Sequence, residues 1–239
     1  MSRRFPKQAA ARRRNTTPAR SRQAAPVTAD DWLGGDRMFS PMGFEPGYDY
    51  PLLVWLTDPE SHPTFNLSRV MPRVSLRNFV AVEPMVDGSP HDVDSLEQAV
   101  WRAIDRVTDR VAIHPDRIFL LGTGAGGSAA FGMACRHPQA FGGVVSLGGP
   151  FPLDEGLFAR LHDIRSLPML LCCHGNESAA AARHTDRTLR LFHAAGAALA
   201  MRIYSGRQQL SQSILGDVNR WLMDEICGAS VPMRPACTR

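Results

Sequence analysis

No stretch of the 239 residues is apolar for long enough to cross a bilayer as a helix, so no transmembrane segment is expected. The amino-terminal residues lack the apolar core of a secretory signal, and Arg3-Arg4 is no convincing twin-arginine export signal. The five cysteines are odd in number and show no C-x-x-C spacing, which speaks against a disulfide framework and suits a reducing, cytoplasmic setting. No H-x-x-x-H or Cys/His ligand spacing occurs, so no metal is expected. The central glycine-rich turn is not followed by Gly-Lys-Ser/Thr, which excludes a phosphate-binding P-loop, and no other cofactor is called for.

Acidic residues are missing from one part of the chain only. Residues 1–29 hold eight of the 27 basic side chains (Arg3, Arg4, Lys7, Arg12, Arg13, Arg14, Arg20 and Arg22) and no acid. The other 19 basic residues face all 23 acidic ones, so the remainder carries a net charge of −4 beneath an overall +4. The tail is rich in Arg, Ala, Thr, Ser and Pro without hydrophobic periodicity, and is expected to be disordered. It is either a solvated leader or a contact for nucleic acid or another anionic surface, and organelle import would share its composition. With 44% hydrophobic residues, the rest can bury one substantial core. The expected organisation is a basic tail at 1–30, one domain at 31–230 and a C-terminal tail at 231–239.

Continuously apolar strand candidates fall at Pro51–Leu56, Phe79–Val82, Arg117–Leu121, Gly143–Leu147, Met169–Cys173 and Ala200–Tyr204. Residues Met38 to Tyr50 read as an irregular lead-in with a turn at Glu45-Pro46-Gly47. Val93, Leu96, Val100, Ile104, Val107 and Val111 are spaced for a helix, and Ala179–Ala195 and Ser211–Ile226 read as two more. Buried strands alternating with helices predict a doubly wound α/β fold, a mostly parallel sheet covered on both faces. Cys172 and Cys173 fall within such a strand and are expected to pack as small apolar residues.

Ligands of such sheets bind beyond the carboxyl ends of the strands. The most informative of these ends is Leu120-Leu121-Gly122-Thr123-Gly124-Ala125-Gly126-Gly127-Ser128, a strand, a tight turn and a helix start. Gly122, Gly124 and Gly127 also spell G-x-G-x-x-G, but a dinucleotide site wants an acid about 20 residues on, at the next strand's end. That strand ends in Gly148-Gly149-Pro150, with no acid before Asp154.

The turn resembles the nucleophile elbow G-x-S-x-G of the α/β-hydrolases, in which the serine takes the middle position. Here that position is Gly124. Further stretches resemble the phospholipase/carboxylesterase group of esterases, near the polyhydroxybutyrate-depolymerase-like and acyl-protein-thioesterase-like enzymes. They are Pro51 to Leu56, His114 to Gly122, Gly142 to Pro152 and Asp217 to Leu222, and the resemblance spans about residues 38–228. It implies an α/β-hydrolase fold and an ester-hydrolysing ancestry.

Against that pattern, each functional position is altered. Where the family has His-Gly in its oxyanion loop, this chain has Thr57-Asp58-Pro59, and proline has no N–H to donate. The second oxyanion donor is implied to be the amide of Ala125. The acid position of the family's H-G-x-x-D holds Ser178 in His174-Gly175-Asn176-Glu177-Ser178, with Glu177 displaced by one residue. Arg207 stands where the base histidine is implied, and an arginine stays protonated and cannot shuttle the proton.

The resulting expectation is a pseudoenzyme: a binding or interaction module that holds a small anionic or apolar ligand in the former acyl pocket. The alternative is an active ester hydrolase with a displaced nucleophile, drawing on Ser128, Glu177, His174 or His91. Ser128 is expected instead to bond within its own helix. His62 and His91 read as loop residues, His174 as a structural hydrogen-bonding residue and His114 as part of a turn; Asp58, Asp92 and Asp94 lie near enough in sequence to pair with a histidine. Arg207 either attracts an anion to the glycine amides or pairs with Glu177 or Asp217.

Overall fold

Successive residues of a strand face opposite sides of the sheet, and here both sides are buried. The computed structural model describes residues 31–58, 66–86, 92–149, 162–175, 179–205 and 210–228. Among them are eight strands: β1 (Asp31–Leu33), β2 (Asp36–Phe39), β3 (Tyr50–Leu56), β4 (Val80–Glu83), β5 (Ile113–Thr123), β6 (Gly143–Leu147), β7 (Met169–His174) and β8 (Leu199–Tyr204). Five helices accompany them: α1 (Leu67–Val74), α2 (Val93–Arg110), α3 (Gly124–Arg136), α4 (Ala179–Ala194) and α5 (Gln212–Gly228).

The strands form one sheet in the order β1-β2-β4-β3-β5-β6-β7-β8. From β4 onward across the sheet every pairing is parallel, whereas β1–β2 and β2–β4 are antiparallel. Leu52, Val54, Leu56 and Leu120 pack with Val100 and Ile104 of α2 and with Phe131 of α3 on one face. Their neighbours Leu53, Trp55, Phe119 and Leu121 pack with Val70 of α1 and with Leu215, Val218 and Leu222 of α5 on the other. A sheet with helices on both faces is therefore the observed architecture, as the uninterrupted apolar strands predict.

The lead-in is more ordered than its sequence suggests. Met38 and Phe39 belong to β2, whose turn from β1 uses Gly34 and Gly35 at φ +63° and +102°. Asp36 is buried there, ion-paired to Arg106 of α2 at 2.7 Å and accepting the Met85 amide at 2.9 Å. A three-residue and a four-residue strand are too short to show a period, and tertiary pairing supplies what periodicity cannot. Helix α1 is also absent from the sequence reading, because Pro72 sits inside it as a helix-breaking signal. Asn66 caps it by accepting the Arg69 amide at 3.2 Å, and Leu67, Val70, Met71 and Val74 give it a buried stripe.

The chain runs from β3 to its neighbour β4 and then places β5 on the other side of β3. This reversal opens a crevice at the carboxyl ends of β3 and β5. Leu56 is in register with Gly122, so Thr57-Asp58 emerges beside Thr123-Gly124. Two turns 66 residues apart in sequence thus meet at one point.

Candidate functional site

Close packing shapes the elbow. A Cβ on Gly122 would run into the Gly126 carbonyl and lie 2.7 Å from the Gly127 nitrogen; one on Gly126 would strike the Leu56 carbonyl. Glycine at these positions lets α3 start directly against β5 and β3. Gly124, the first residue of α3, has φ +50°, the left-handed conformation that the nucleophile position of such a turn requires. Gly149, after β6, closes from the other side: a Cβ there would meet the Gly124 carbonyl and would lie 2.9 Å from both the Ser128 nitrogen and Ser146 Oγ.

The space above Gly124 is occupied. A Cβ built on it would overlap Oδ2 of Asp58 and lie 3.0 Å from its Cγ. That same Oδ2 accepts the Ala125 amide at 3.3 Å. A carboxylate from the end of β3 therefore rests on an N–H in the first turn of α3, where the helix dipole and donors without an intrahelical partner favour negative charge. Sequence reading assigns Asp58 to the oxyanion loop but has no signal for this contact, which depends on the register of two strands.

Glu83, at the end of β4, ties Thr57 to the start of α1 and to Arg37 of β2. Its Oε1 accepts Thr57 Oγ1 at 3.3 Å, and its Oε2 accepts Arg37 and the Leu67 amide, each at 3.1 Å. Glu83 is a structural residue of the site that the sequence reading missed; a lone acid at a strand end carries no distinguishing signal. Beside the turn lies a cavity of about 230 Å³, whose walls include Trp55, Pro84, Val86, Leu96 and Ala129 and which reaches Ala125 and Gly126. A roomier groove of about 570 Å³, between Tyr48, Tyr50, Arg77 and Met223, lies at the opposite, amino-terminal ends of the strands. It is remote from the elbow's backbone donor.

The other sequence candidates fall as follows. Ser128 Oγ donates to the Gly124 carbonyl at 3.4 Å, a bond to its own helix. His174 closes β7 and its Nδ1 is buried without a hydrogen-bond partner among the described residues. Asp92 caps α2, accepting the Asp94 amide and the Ser95 hydroxyl. His114 lies within β5 rather than in a turn, and its Nδ1 accepts the Asp116 amide at 3.2 Å. Asp217 is engaged by Tyr204 Oη at 3.0 Å, Arg220 at 3.1 Å and Arg202 at 3.4 Å. Pro59, His62, His91, Glu177, Ser178 and Arg207 lie outside the described residues. Among the described residues, no three His, Cys, Asp or Glu side chains gather where they could hold a metal, and no helix is long and apolar enough to cross a membrane.

Cys172 lies buried on β7, across from Arg202. Burial pushes its thiol up to about 12, against the opposing effects of a hydrogen bond with Tyr204 and the Arg202 charge. It is a packing residue, as its place in an apolar strand predicts. Burial, with the neighbouring Cys172 and Asp217, likewise raises the Tyr204 phenol.

No protein-family model and no curated protein matches the chain. Solved structures do. A fungal esterase from Rhizomucor miehei superimposes with a TM-score of 0.64 at 13% identity, over 82% of this chain and 79% of its own. The chain has the α/β-hydrolase fold. A thermostable esterase matches with a TM-score of 0.60 at 17% identity over 79% of this chain, which spans only 58% of that esterase. An esterase from Thermogutta terrifontis gives 0.59 at 14% identity and covers 91% of this chain and 96% of its own. At such identities the likeness is one of fold.

Proposed function

We propose that this α/β-hydrolase-fold protein is a descendant of the phospholipase/carboxylesterase group that no longer hydrolyses esters and instead works as a binding or interaction module. The observation that carries this reading is the pair Gly124 and Asp58: the elbow bears no hydroxyl, and a carboxylate fills the volume a side chain would need. Covalent ester hydrolysis requires a nucleophile activated by a base, and donors held free for the developing oxyanion. Here the Ala125 amide, the donor the fold offers, is already bonded to an anion. An anion in that position repels the oxyanion that catalysis must stabilise. Ser128, the displaced nucleophile of the competing reading, is turned back onto the Gly124 carbonyl.

A Thermogutta terrifontis esterase of this fold has been solved phosphoramylated by tabun, so an organophosphorus reagent is a fitting probe of the elbow. The test is turnover of p-nitrophenyl butyrate by purified protein, with intact mass after a fluorophosphonate and with Gly124→Ala alongside. The expected outcome is no turnover above buffer and no adduct. Turnover unchanged in Gly124→Ala, with an adduct mapped to Ser128, would sink the reading.

A further inference from the structure

Away from the elbow, the groove at the amino-terminal ends of the strands joins an apolar hollow to a row of positive charge. Met42 and Tyr48 in its wall are 60% and 52% exposed, and Leu76, whose carbonyl accepts the Met42 amide at 2.7 Å, is 43% exposed. Arg69 and Arg73 stand one turn apart on α1, and Arg77, which lines the groove, follows three residues after α1 ends. All three arginines are exposed, and no acid occurs from Asn66 to Phe79 to offset them. We propose that this groove docks an acidic, extended segment of a partner protein, with one large apolar side chain anchored in the hollow and its carboxylates along Arg77, Arg73 and Arg69. The inference goes beyond the reading of the elbow and does not depend on it.

Both parts of the groove are held in place by the fold. Tyr50, buried at the start of β3, stacks on Phe44 with ring centroids 5.2 Å apart and meets Tyr48 edge-on at 4.7 Å, while its hydroxyl accepts the Glu45 amide at 2.9 Å. After α1, Ser75 Oγ accepts the amides of Arg77 and Asn78 at 3.3 and 3.2 Å, and Asn78 Nδ2 reaches Met223 Sδ at 3.5 Å. A surface fixed before binding loses little freedom on docking. Its volume of about 570 Å³ falls among ligand clefts of roughly 300–1,000 Å³ and has room for a large side chain with its backbone. Exposed apolar side chains grouped around a concavity and rimmed by charge mark an interaction site, where single ones do not.

The charge pattern selects the occupant. Glu45 also lines the groove, so charge is mixed in the hollow and uniformly positive along α1. A uniform polyanion such as nucleic acid would set a phosphate against Glu45. An acidic run that ends in an apolar residue puts its charges on the arginines and its neutral part beside Glu45. A bilayer surface is flat and leaves a concave groove unfilled. The segment is foreign to this chain, which contains no run of three acids and whose residues 1–29 and 231–239 carry basic side chains and no acidic ones.

The experiment is fluorescence polarisation of the full-length protein with a fluorescein-labelled peptide of six glutamates, a glycine and a tryptophan, made in both chain orders. A peptide with glycine in place of tryptophan is the control. An exposed ion pair changes affinity by up to about fivefold, so reversing three in Arg69→Glu/Arg73→Glu/Arg77→Glu is expected to weaken binding tenfold or more at about 50 mM salt. The loss should shrink at about 500 mM salt, where screening is stronger. Tyr48→Ala, and the glycine peptide, should each weaken binding about tenfold or more, the scale of one large apolar side chain buried. A triple lysine variant keeps the charges and must keep the binding. Equal affinity in wild type and the triple glutamate variant would place the peptide on residues 1–29 and overturn the proposal. Equal affinity for the tryptophan and glycine peptides, or no binding of either tryptophan peptide, overturns it too. Tighter binding of a twelve-nucleotide oligothymidylate, or of vesicles containing phosphatidylserine, that needs the same arginines defeats the peptide partner. A dimer in sedimentation that the triple glutamate variant abolishes makes the occupant a second copy and likewise defeats it.

Discussion

Asp58 and Gly124 exclude one another's alternatives: the Asp58 carboxylate lies where any side chain on Gly124 would begin, and it is free to lie there only because Gly124 has none. The two residues belong to neighbouring parallel strands whose register, Leu56 against Gly122, sets their turns side by side. The absence of a side chain on Gly124 and the filling of the space above it are therefore one structural fact seen from two loops.

Gly124→Ser should not create an esterase. The left-handed φ of +50° is adverse for serine by about 1–2 kcal/mol, and the Asp58 overlap adds to it. In a double-mutant cycle with Asp58→Ala, read by urea denaturation, the two sites should couple by roughly 0.5–3 kcal/mol, with Asp58→Ala relieving the serine. Additive effects would show that Asp58 does not occupy this space in solution.

Glu83→Ala should destabilise the protein by about 1–3 kcal/mol, because it removes the acceptor of the Thr57 hydroxyl and the Leu67 amide and an ion pair of Arg37. Glu83→Gln keeps an acceptor and should cost less. Chemical denaturation of the three proteins checks the order wild type, Gln, Ala.

Thiol chemistry should divide the cysteines by burial. Cys227 is exposed on α5 and should be alkylated in the native protein at pH 8, while Cys135, Cys172 and Cys173 should react only on unfolding. The Cys172 thiol is raised from its ordinary 9.0 to about 12, so the folded state favours its neutral form. Its contribution is present below about pH 9 and is lost as pH rises toward about 12. A Cys172→Ala protein should lose that part of the alkaline dependence of its melting temperature.

Acid should act through Glu97. Burial alone would raise this carboxyl, but hydrogen bonds from Arg136 at 2.8 Å and His137 at 2.5 Å, with their charges, outweigh burial and hold it below its ordinary 4.5. A lowered carboxyl stabilises the fold above pH 4.5 and ceases to do so as pH falls through its folded value. The melting-temperature gap between wild type and Glu97→Gln should be widest near neutral pH and narrow toward pH 3. A gap independent of pH would contradict the ion cluster.

Much of this architecture is legible in the chain. Six apolar strand segments and three helices can be read from periodicity, because a strand buried on both faces must be apolar throughout. Gly143–Leu147 is recovered residue for residue, and the other five strands to within one to four residues at an end. Segments held by pairing rather than by pattern escape: β1 and β2 are too short to show a period, and α1 carries Pro72.

The site divides in the same way. The missing hydroxyl at Gly124 is a matter of composition and is plain in the sequence, as is the crowding that demands glycine at Gly122 and Gly126, since such a turn leaves no room for a side chain. What stands above Gly124 is not. Asp58 is one acid among 23, and nothing local to Thr57-Asp58 says where its carboxylate points. Strand order and register decide it, by bringing Asp58, 66 residues before Gly124, against an amide in the first turn of α3. Sequence determined what the elbow lacks; tertiary structure determined what fills it, because a contact between two distant loops exists only once the sheet between them has formed.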